Sequence, residues 1–401
     1  MTRLIRSLLV LVLTVASAGA HAEGSLVIVG GALRADNAVV WQRIVDLAGG
    51  QGAKIAVVPA AAGNPTGSGG RVVQHLNRYG AQAFLLPVAP RLPGDVHAAA
   101  NDPANVAAVQ ASTGVYFIGG DQARITGSLR NADGANSRVL DAIWALYRRG
   151  GVVAGASAGA AIMSSTMFDN AGTTLSVLQN GVNDGNELAP GLGFIGKDVF
   201  VDQHLIIRGR FARMLPAMLK KGYQKGLGID ENTAVVVGPG RDADVIGYKG
   251  AIWFDLANAT VDPNVKAFNI ANASISYLDH GDRINLTTGA MTPSADKIAG
   301  KVDPAKPGNR SPLFSADILG NTTLVDLMSQ LVDSATPQAT GLAFGGPDAN
   351  PALPGFSFQL RRTSATDGYE SATSEAYSVY RMRLDVKPVK VSWPAITEYR
   401  Q

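Results

Sequence analysis

Valine- and isoleucine-rich runs recur along the first part of the chain: LVIVGG from 26, KIAVVPAA from 54, AFLLPV from 83, VYFIGG from 115 and GVVAGAS from 151. Each run is short and apolar at successive positions, the pattern of a strand buried on both faces. Between the runs lie helix-compatible segments, Val39 to Ala48, Arg71 to Tyr79 and Val139 to Arg149. Strands alternating with helices predict a doubly wound α/β fold whose mostly parallel sheet is covered on both faces. Ligands in such sheets bind at the carboxyl ends of the strands, where Gly119-Gly120-Asp121 and Ser157 both fall. The stretch GNPTGSGG, residues 63–70, also follows a strand end; its glycines could cradle an anion, but it reads first as a flexible surface loop.

After about Gly289 the texture changes. Proline-rich turns, one amphipathic candidate helix from Thr322 to Val332, and alternating stretches at Phe356 to Arg361 and Tyr377 to Val386 predict a smaller β-rich C-terminal unit. The expected organisation is therefore an α/β catalytic domain over 23–289 and a β-rich extension over 290–401.

The N-terminus changes the expected compartment. Arg3 and Arg6 precede an apolar stretch from Leu8 to Val15, and small residues lead to Ala20-His21-Ala22. This is the layout of a secretory signal peptide over 1–22, which predicts a secreted or extracellular protein with no membrane anchor after cleavage. Export favours disulfides, yet the chain has no cysteine, so its stability must come from a packed core. Hydrophobic residues make up 46% of the 401, enough for one large core and a smaller second one. A formal charge of +3 without a dense Lys/Arg run gives no reason to expect a nucleic-acid partner. No histidine lies in a zinc-ligand spacing, and no metal or other cofactor is expected.

The candidate chemistry centres on GASAGA, where Ser157 stands between Gly155 and Gly159 at the end of an apolar run. That is the spacing of a nucleophile elbow, a sharp strand-to-helix turn that exposes a serine hydroxyl. A tight turn with a solvated serine would look the same, so the rest of the chain must supply a base, an orienting acid and oxyanion donors. The base would be one of His75, His97, His204 and His280, because His21 leaves with the signal. His204 is the best placed: it follows a strand-like run and is followed by Arg208, Arg210 and Arg213. Three arginines in one short segment imply an acidic ligand or an acidic protein partner. Downstream, GIDENTA places Asp230 and Glu231 ahead of another valine-rich strand, where an acid could cap the following segment or orient the imidazole of His204.

Together, FIGGDQARI from 117, GASAGA from 155, DQHLIIRGRFARML from 202 and GIDENTA from 228 resemble the cyanophycinases, a branch of the serine peptidase family that also contains aspartyl dipeptidase. The four motifs stand in the family's order, and the resemblance spans about Ser25 to Gly289. It implies a fold like the class I glutamine amidotransferases, with serine where those enzymes carry cysteine, and it implies that Ser157, His204 and Glu231 correspond to the family's triad. The backbone N–H of Ala158 and one from Gly120 or Asp121 would form the oxyanion hole. Asp121, Gln122, Asp202, Gln203, Arg208, Arg210 and Arg213 match positions tied to substrate binding or pocket support. Ala156 departs from the threonine frequent in the family, at a position that needs only a small side chain.

The implied activity is hydrolysis of cyanophycin, a polyaspartate backbone bearing arginine on its side-chain carboxyls, to β-aspartyl-arginine dipeptides. The expected protein is thus an exported serine exopeptidase whose partner is the cyanophycin polymer. Its rivals are an aspartyl dipeptidase-like peptidase and a non-catalytic binder of acidic polymers. A homodimer is compatible with the sequence, which by itself sets no oligomeric state.

Overall fold

The computed structural model describes residues 23–309 and 313–392, so the expected signal peptide over 1–22 lies outside the described residues. The apolar runs form β1 (Ser25–Val29), β2 (Lys54–Val58), β3 (Gln82–Leu85), β4 (Gly114–Phe117) and β5 (Val152–Ala156). They lie side by side in the order β1-β5-β4-β2-β3, each neighbour pair parallel. Crossovers are made by α1 (Ala38–Leu47), α2 (Pro65–Arg78), α3 (Val96–Asn101), α4 (Pro103–Gln110), α5 (Gln122–Leu129) and α6 (Arg138–Arg148). The alternation of strand side chains sends Leu26 and Ile28 into one apolar cluster with Leu140 and Ile143 of α6. Val27 and Val29 enter another, with Val40 and Ile44 of α1. Both faces of β1 are therefore buried, which is why its sequence carries no polar alternation.

The stretch expected as a loop at 63–70 is instead the start of α2. Asn64 caps the helix by accepting from the N–H of Gly67, and Pro65 occupies the first turn. Cap chemistry of this kind favours a helix start strongly enough to carry the glycines that follow. Gly69 also has a packing reason: a Cβ there would stand 2.2 Å from Leu85 Cδ1, so glycine lets the helix lie close on the sheet.

After β5 come α7 (Ala158–Ala161) and a small ribbon of β6 (Thr166–Phe168) and β7 (Leu188–Pro190), with α8 (Thr174–Asn180) between them. The chain then alternates between two sheets through β8 (Val199–Gln203), α9 (Phe211–Lys221), β9 (Lys225–Ile229), β10 (Thr233–Val237), β11 (Asp242–Gly247), β12 (Ala251–Asp255), β13 (Ile270–Leu278), β14 (Arg283–Asn285) and β15 (Met291–Thr292). Antiparallel β10, β11, β14 and β15 continue the first sheet beyond β1, so its parallel character ends there. Parallel β8 and β9, followed by β12 and β13, open a second sheet.

The C-terminal region supplies β16 (Phe314–Ser315), α10 (Thr323–Val332), β17 (Gln338–Ala343), β18 (Gly355–Arg361), β19 (Asp367–Glu370) and β20 (Tyr377–Val389). These strands do not close on one another apart from the rest. β20 pairs with β13, so the second sheet runs β16-β17-β18-β20-β13-β12-β9-β8 across the expected boundary at 289. One apolar cluster joins Phe211 and Leu215 of α9 to Phe358, Leu360 and Met382. The extension is thus built onto the sheet that carries the residues around His204.

Candidate active site

The site forms where the carboxyl ends of β1, β4 and β5 in the first sheet meet those of β8 and β9 in the second. Ser157 follows β5 and begins α7, with φ 54° and ψ −108°. A positive φ is strained for a residue with a side chain, at about 1–3 kcal/mol, and here two close backbone contacts enforce it. A Cβ on Gly155 would stand 2.2 Å from the carbonyl oxygen of Gly159, and one on Gly159 would stand 2.3 Å from that of Phe117. Both glycines of the motif are therefore needed for the turn to close, while the N–H of Ser157 donates to the carbonyl of Val29 at 3.0 Å.

His204 follows β8 and also has a positive φ, 51°. Its N–H donates to the carbonyl of Gly30 at 2.9 Å, and its ring lies against Gly31, where a Cβ would stand 2.3 Å from Cε1. Glu231 follows β9 and lies 2.5 Å from His204 Nδ1. A carboxylate only accepts, so Nδ1–H donates to Glu231 Oε1 and Nε2 is left to accept from Ser157 Oγ–H, 2.8 Å away. The three side chains form one hydrogen-bonded chain from serine to carboxylate. Burial pushes the His204 pKa below the usual imidazole value; Glu231 opposes this, and the nearby Arg208 and Arg210 add to it. The imidazole is consequently neutral at neutral pH, the form that accepts a proton.

Asp230 does not cap the segment that follows it, the role weighed for this pair of acids, but holds an earlier turn. Fully buried, it accepts from the N–H groups of Ile206 and Ile207 at 3.2 and 3.1 Å, fixing the turn between His204 and α9. Its second oxygen faces Lys249 Nζ at 3.0 Å, an ion pair not aligned as a hydrogen bond.

The three arginines have three different environments. Arg213 is 5% exposed and forks onto Asp202 at 2.7 and 2.8 Å, with its guanidinium over the ring of Phe168. Asp202 is 1% exposed, so this pair is internal bracing and neither member is open to a ligand. Arg210 donates to the backbone carbonyl and side-chain oxygen of Gln203 at 3.1 and 3.0 Å, tying that buried glutamine to the turn. Arg208 is different: its side chain is 51% exposed and its Nη2 lies 3.6 Å from Glu231 Oε1. Of this cluster, Arg208 alone combines exposure with closeness to the triad. Gln122 is also engaged internally, donating to the carbonyls of Phe168 and Asp169.

The expected oxyanion donors separate as well. Ala158 opens α7, so its N–H belongs to the first helical turn, where no intrahelical acceptor exists. The N–H of Asp121 donates to the carbonyl of Ala61 at 3.0 Å, and its carboxylate caps α5 and pairs with Arg124. Asp121 is thus withdrawn as a donor, and Gly120 remains. Gly120 has φ 143°, and a Cβ there would stand 2.1 Å from the carbonyl oxygen of Ala61.

Three contributors lay outside the sequence reading. Gly31 makes room for the imidazole; its only trace is the glycine pair closing LVIVGG. Asn37 donates to the backbone and side-chain oxygens of Asn232, each at 2.9 Å, locking the loop after Glu231 to the start of α1. A cleft of about 250 Å³ reaches Ser157 between α1, α2 and the end of β4; of its α2 residues Ser68, Arg71, Val72 and His75, only His75 had been named, as one of four possible bases. A larger hollow of about 660 Å³, between Tyr277, Asp326, Asp333 and Glu375, contains no member of the triad.

The model of the peptidase family S51 matches residues 26–245, more than half of the chain. The chain belongs to peptidase family S51. This matched span contains the elbow serine, His204 and Glu231, and the protein is a serine peptidase with an α/β fold. It is 32% identical over 277 residues to the cyanophycinase of Geminocystis herdmanii, covering 67% of this chain and 96% of that protein. It is 29% identical over 259 residues to the cyanophycinase of a Nostoc species, covering 63% of this chain and 82% of that one. Among solved structures it is similar to a peptidase from an acI-B1 actinobacterium, with TM-score 0.45, 23% identity, and coverage of 58% of this chain and 91% of that one.

Proposed function

We propose that this S51 peptidase is an exported exopeptidase that hydrolyses cyanophycin to β-aspartyl-arginine dipeptides through an acyl-enzyme. The observation that carries the chemistry is the unbroken chain of hydrogen bonds Ser157–His204–Glu231. In the proposed reaction, His204 Nε2 takes the proton of Ser157 Oγ as the oxygen attacks the substrate carbonyl. The imidazolium so formed is stabilised by Glu231 and returns the proton to the leaving amine. The N–H groups of Ala158 and Gly120 receive the negative charge on the carbonyl oxygen. Water then repeats the attack on the acyl-enzyme, with His204 again as base.

Cyanophycin as substrate is supported by the named relatives and by Arg208, an exposed guanidinium beside the triad suited to the carboxylates of an aspartyl-arginine polymer. Chain-end specificity rests on the family resemblance. Export rests on the pattern of residues 1–22, and an insoluble polymer made in another cell must be cut outside the enzyme's own.

The test is incubation of purified protein with cyanophycin, polyaspartate and casein, with products identified by mass. Dipeptide from cyanophycin alone is the expected result, and it should vanish in Ser157→Ala, since loss of a triad nucleophile typically costs about 10⁶ in rate. Cleavage of casein, or internal cuts leaving long fragments, would refute the substrate or the mode. Activity persisting in Ser157→Ala would refute the mechanism.

A further inference from the structure

The segment GNPTGSGGRVVQH becomes a helix, and this gives it a function that a loop would lack. In α2, Ser68, Arg71, Val72 and His75 are spaced i, i+3, i+4 and i+7, which puts them on one helical face. All four line the cleft that ends at Ser157, whereas His204, Glu231 and Arg208 do not. The opposite wall is aromatic: Trp41 stacks on Tyr116 with ring centroids 5.8 Å apart and meets His75 at 5.2 Å.

Charge in this cleft is one-sided. Among the described residues, no aspartate or glutamate lines it. Burial, with Arg78 and Arg71 nearby, holds His75 below the usual imidazole pKa, so it is neutral at neutral pH. The cleft's charge is then the Arg71 guanidinium. Arg71 is exposed, and among the described residues its recorded partner is the hydroxyl of Ser68, at 3.2 Å from Nη2, with no carboxylate. The fork of Arg213 is taken by Asp202 through Nε and Nη2, whereas Arg71, with one hydrogen bond to Ser68, keeps most of its donors open in the cleft that Ser157 also lines. A planar fork with no acid of its own is a receptor for a carboxylate.

We propose that Arg71, presented by α2 and steadied by Ser68, is a specificity-determining residue that binds a substrate carboxylate in a subsite separate from Arg208. This rests on the cyanophycin reading above and deepens it. The acid is either the free carboxylate of an N-acylated arginine branch or the main-chain carboxylate at a polymer end. Placing it in the cleft sets the scissile carbonyl against Ser157, and a polymer segment without that acid binds there more weakly.

The experiment is ligand-observed NMR titration in the Ser157→Ala background, where nothing is turned over. The branch arm compares N-acetyl-L-arginine with N-acetyl-L-argininamide, and the chain-end arm compares N-acetyl-L-asparagine with its amide. The expected result is that one acid binds about 10-fold or more tightly than its amide. That ratio should fall to near one when Arg71→Gln is added, and the arm that shows it identifies the carboxylate. Arg71→Lys should recover only part of the ratio, because a point charge does not reproduce the fork. No preference for either acid, or a preference that survives Arg71→Gln, overturns the proposal. Failure of the unmodified protein to degrade cyanophycin is a separate result, which refutes the substrate without touching these ratios.

Discussion

At the scale of single residues, the catalytic geometry depends on a side chain that is absent. Gly31 has φ 117°, and the space a methyl group would take there is already filled by the His204 ring. Gly31→Ala must therefore push the imidazole off the line between Ser157 and Glu231. A displacement of about 1 Å costs on the order of 10² in rate, so the expected outcome is a folded protein by circular dichroism with kcat/KM reduced by about that factor. Wild-type kinetics in Gly31→Ala would mean the ring has room that these contacts deny. The pH profile tests the same imidazole. Activity requires neutral His204, so kcat/KM should rise with pH along an acid limb lying below the usual imidazole value and level off before neutrality. Glu231 raises this pKa, so Glu231→Gln should lower the plateau and move the limb to more acidic pH. Arg208 lowers it, so Arg208→Gln should move the limb the opposite way. Limbs that stay fixed in both variants would remove His204 as the base.

At the scale of elements, the turn between β8 and α9 carries His204 and Arg208, and Asp230 holds it from the end of β9. Asp230→Ala leaves the buried N–H of Ile206 and the half-buried N–H of Ile207 without their acceptor, and an unsatisfied buried donor costs about 1–3 kcal/mol. Denaturant unfolding should show a loss of at least that size, together with a fall in activity as the turn shifts. Asp230→Asn keeps one acceptor oxygen and should recover much of the stability. An unchanged unfolding midpoint in Asp230→Ala would show that the turn holds itself. α2 makes a related point: its glycines suggest a loop, while Asn64 and Pro65 start a helix and Gly69 is used for close packing. Composition alone misleads there because the same residue serves flexibility in one setting and close approach in another.

At the scale of the molecule, the region after 289 is structurally continuous with what precedes it. β20 covers the edge of β13, and the ring of Phe358 meets that of Phe211 in α9 at 5.6 Å. A Cβ on Gly209, in the His204 turn, would stand 2.4 Å from the carbonyl oxygen of Leu319. Lys297, fully buried, pairs with Asp279 at 2.7 Å and lies 3.5 Å from Asp282. Ending the chain at Gly289 would open an apolar cluster, expose a strand edge and leave two buried carboxylates without their cation. The expected outcome is a fragment that does not fold to a soluble peptidase, checked by yield, circular dichroism and activity. A soluble and active fragment over 23–289 would show that the extension is dispensable.

The sequence by itself determined what short-range chemistry controls. Apolar runs at strand length produced β1 to β5, and the two glycines flanking Ser157 specified the elbow because only a missing Cβ lets those backbones approach. The family resemblance carried by the motifs assigned His204 and Glu231 to a triad, and the fold brings them together from positions 27 residues apart. Tertiary structure alone decided which of three arginines faces outward, because the burial of Arg213 depends on Asp202 and Phe168 lying in one packed layer. It also decided that the Asp121 N–H is spent on Ala61, and that the strands after 289 share a sheet with β8, β9, β12 and β13. Edge pairing joins strands about a hundred residues apart through backbone hydrogen bonds, which every residue except proline can donate, so no local pattern of side chains records it.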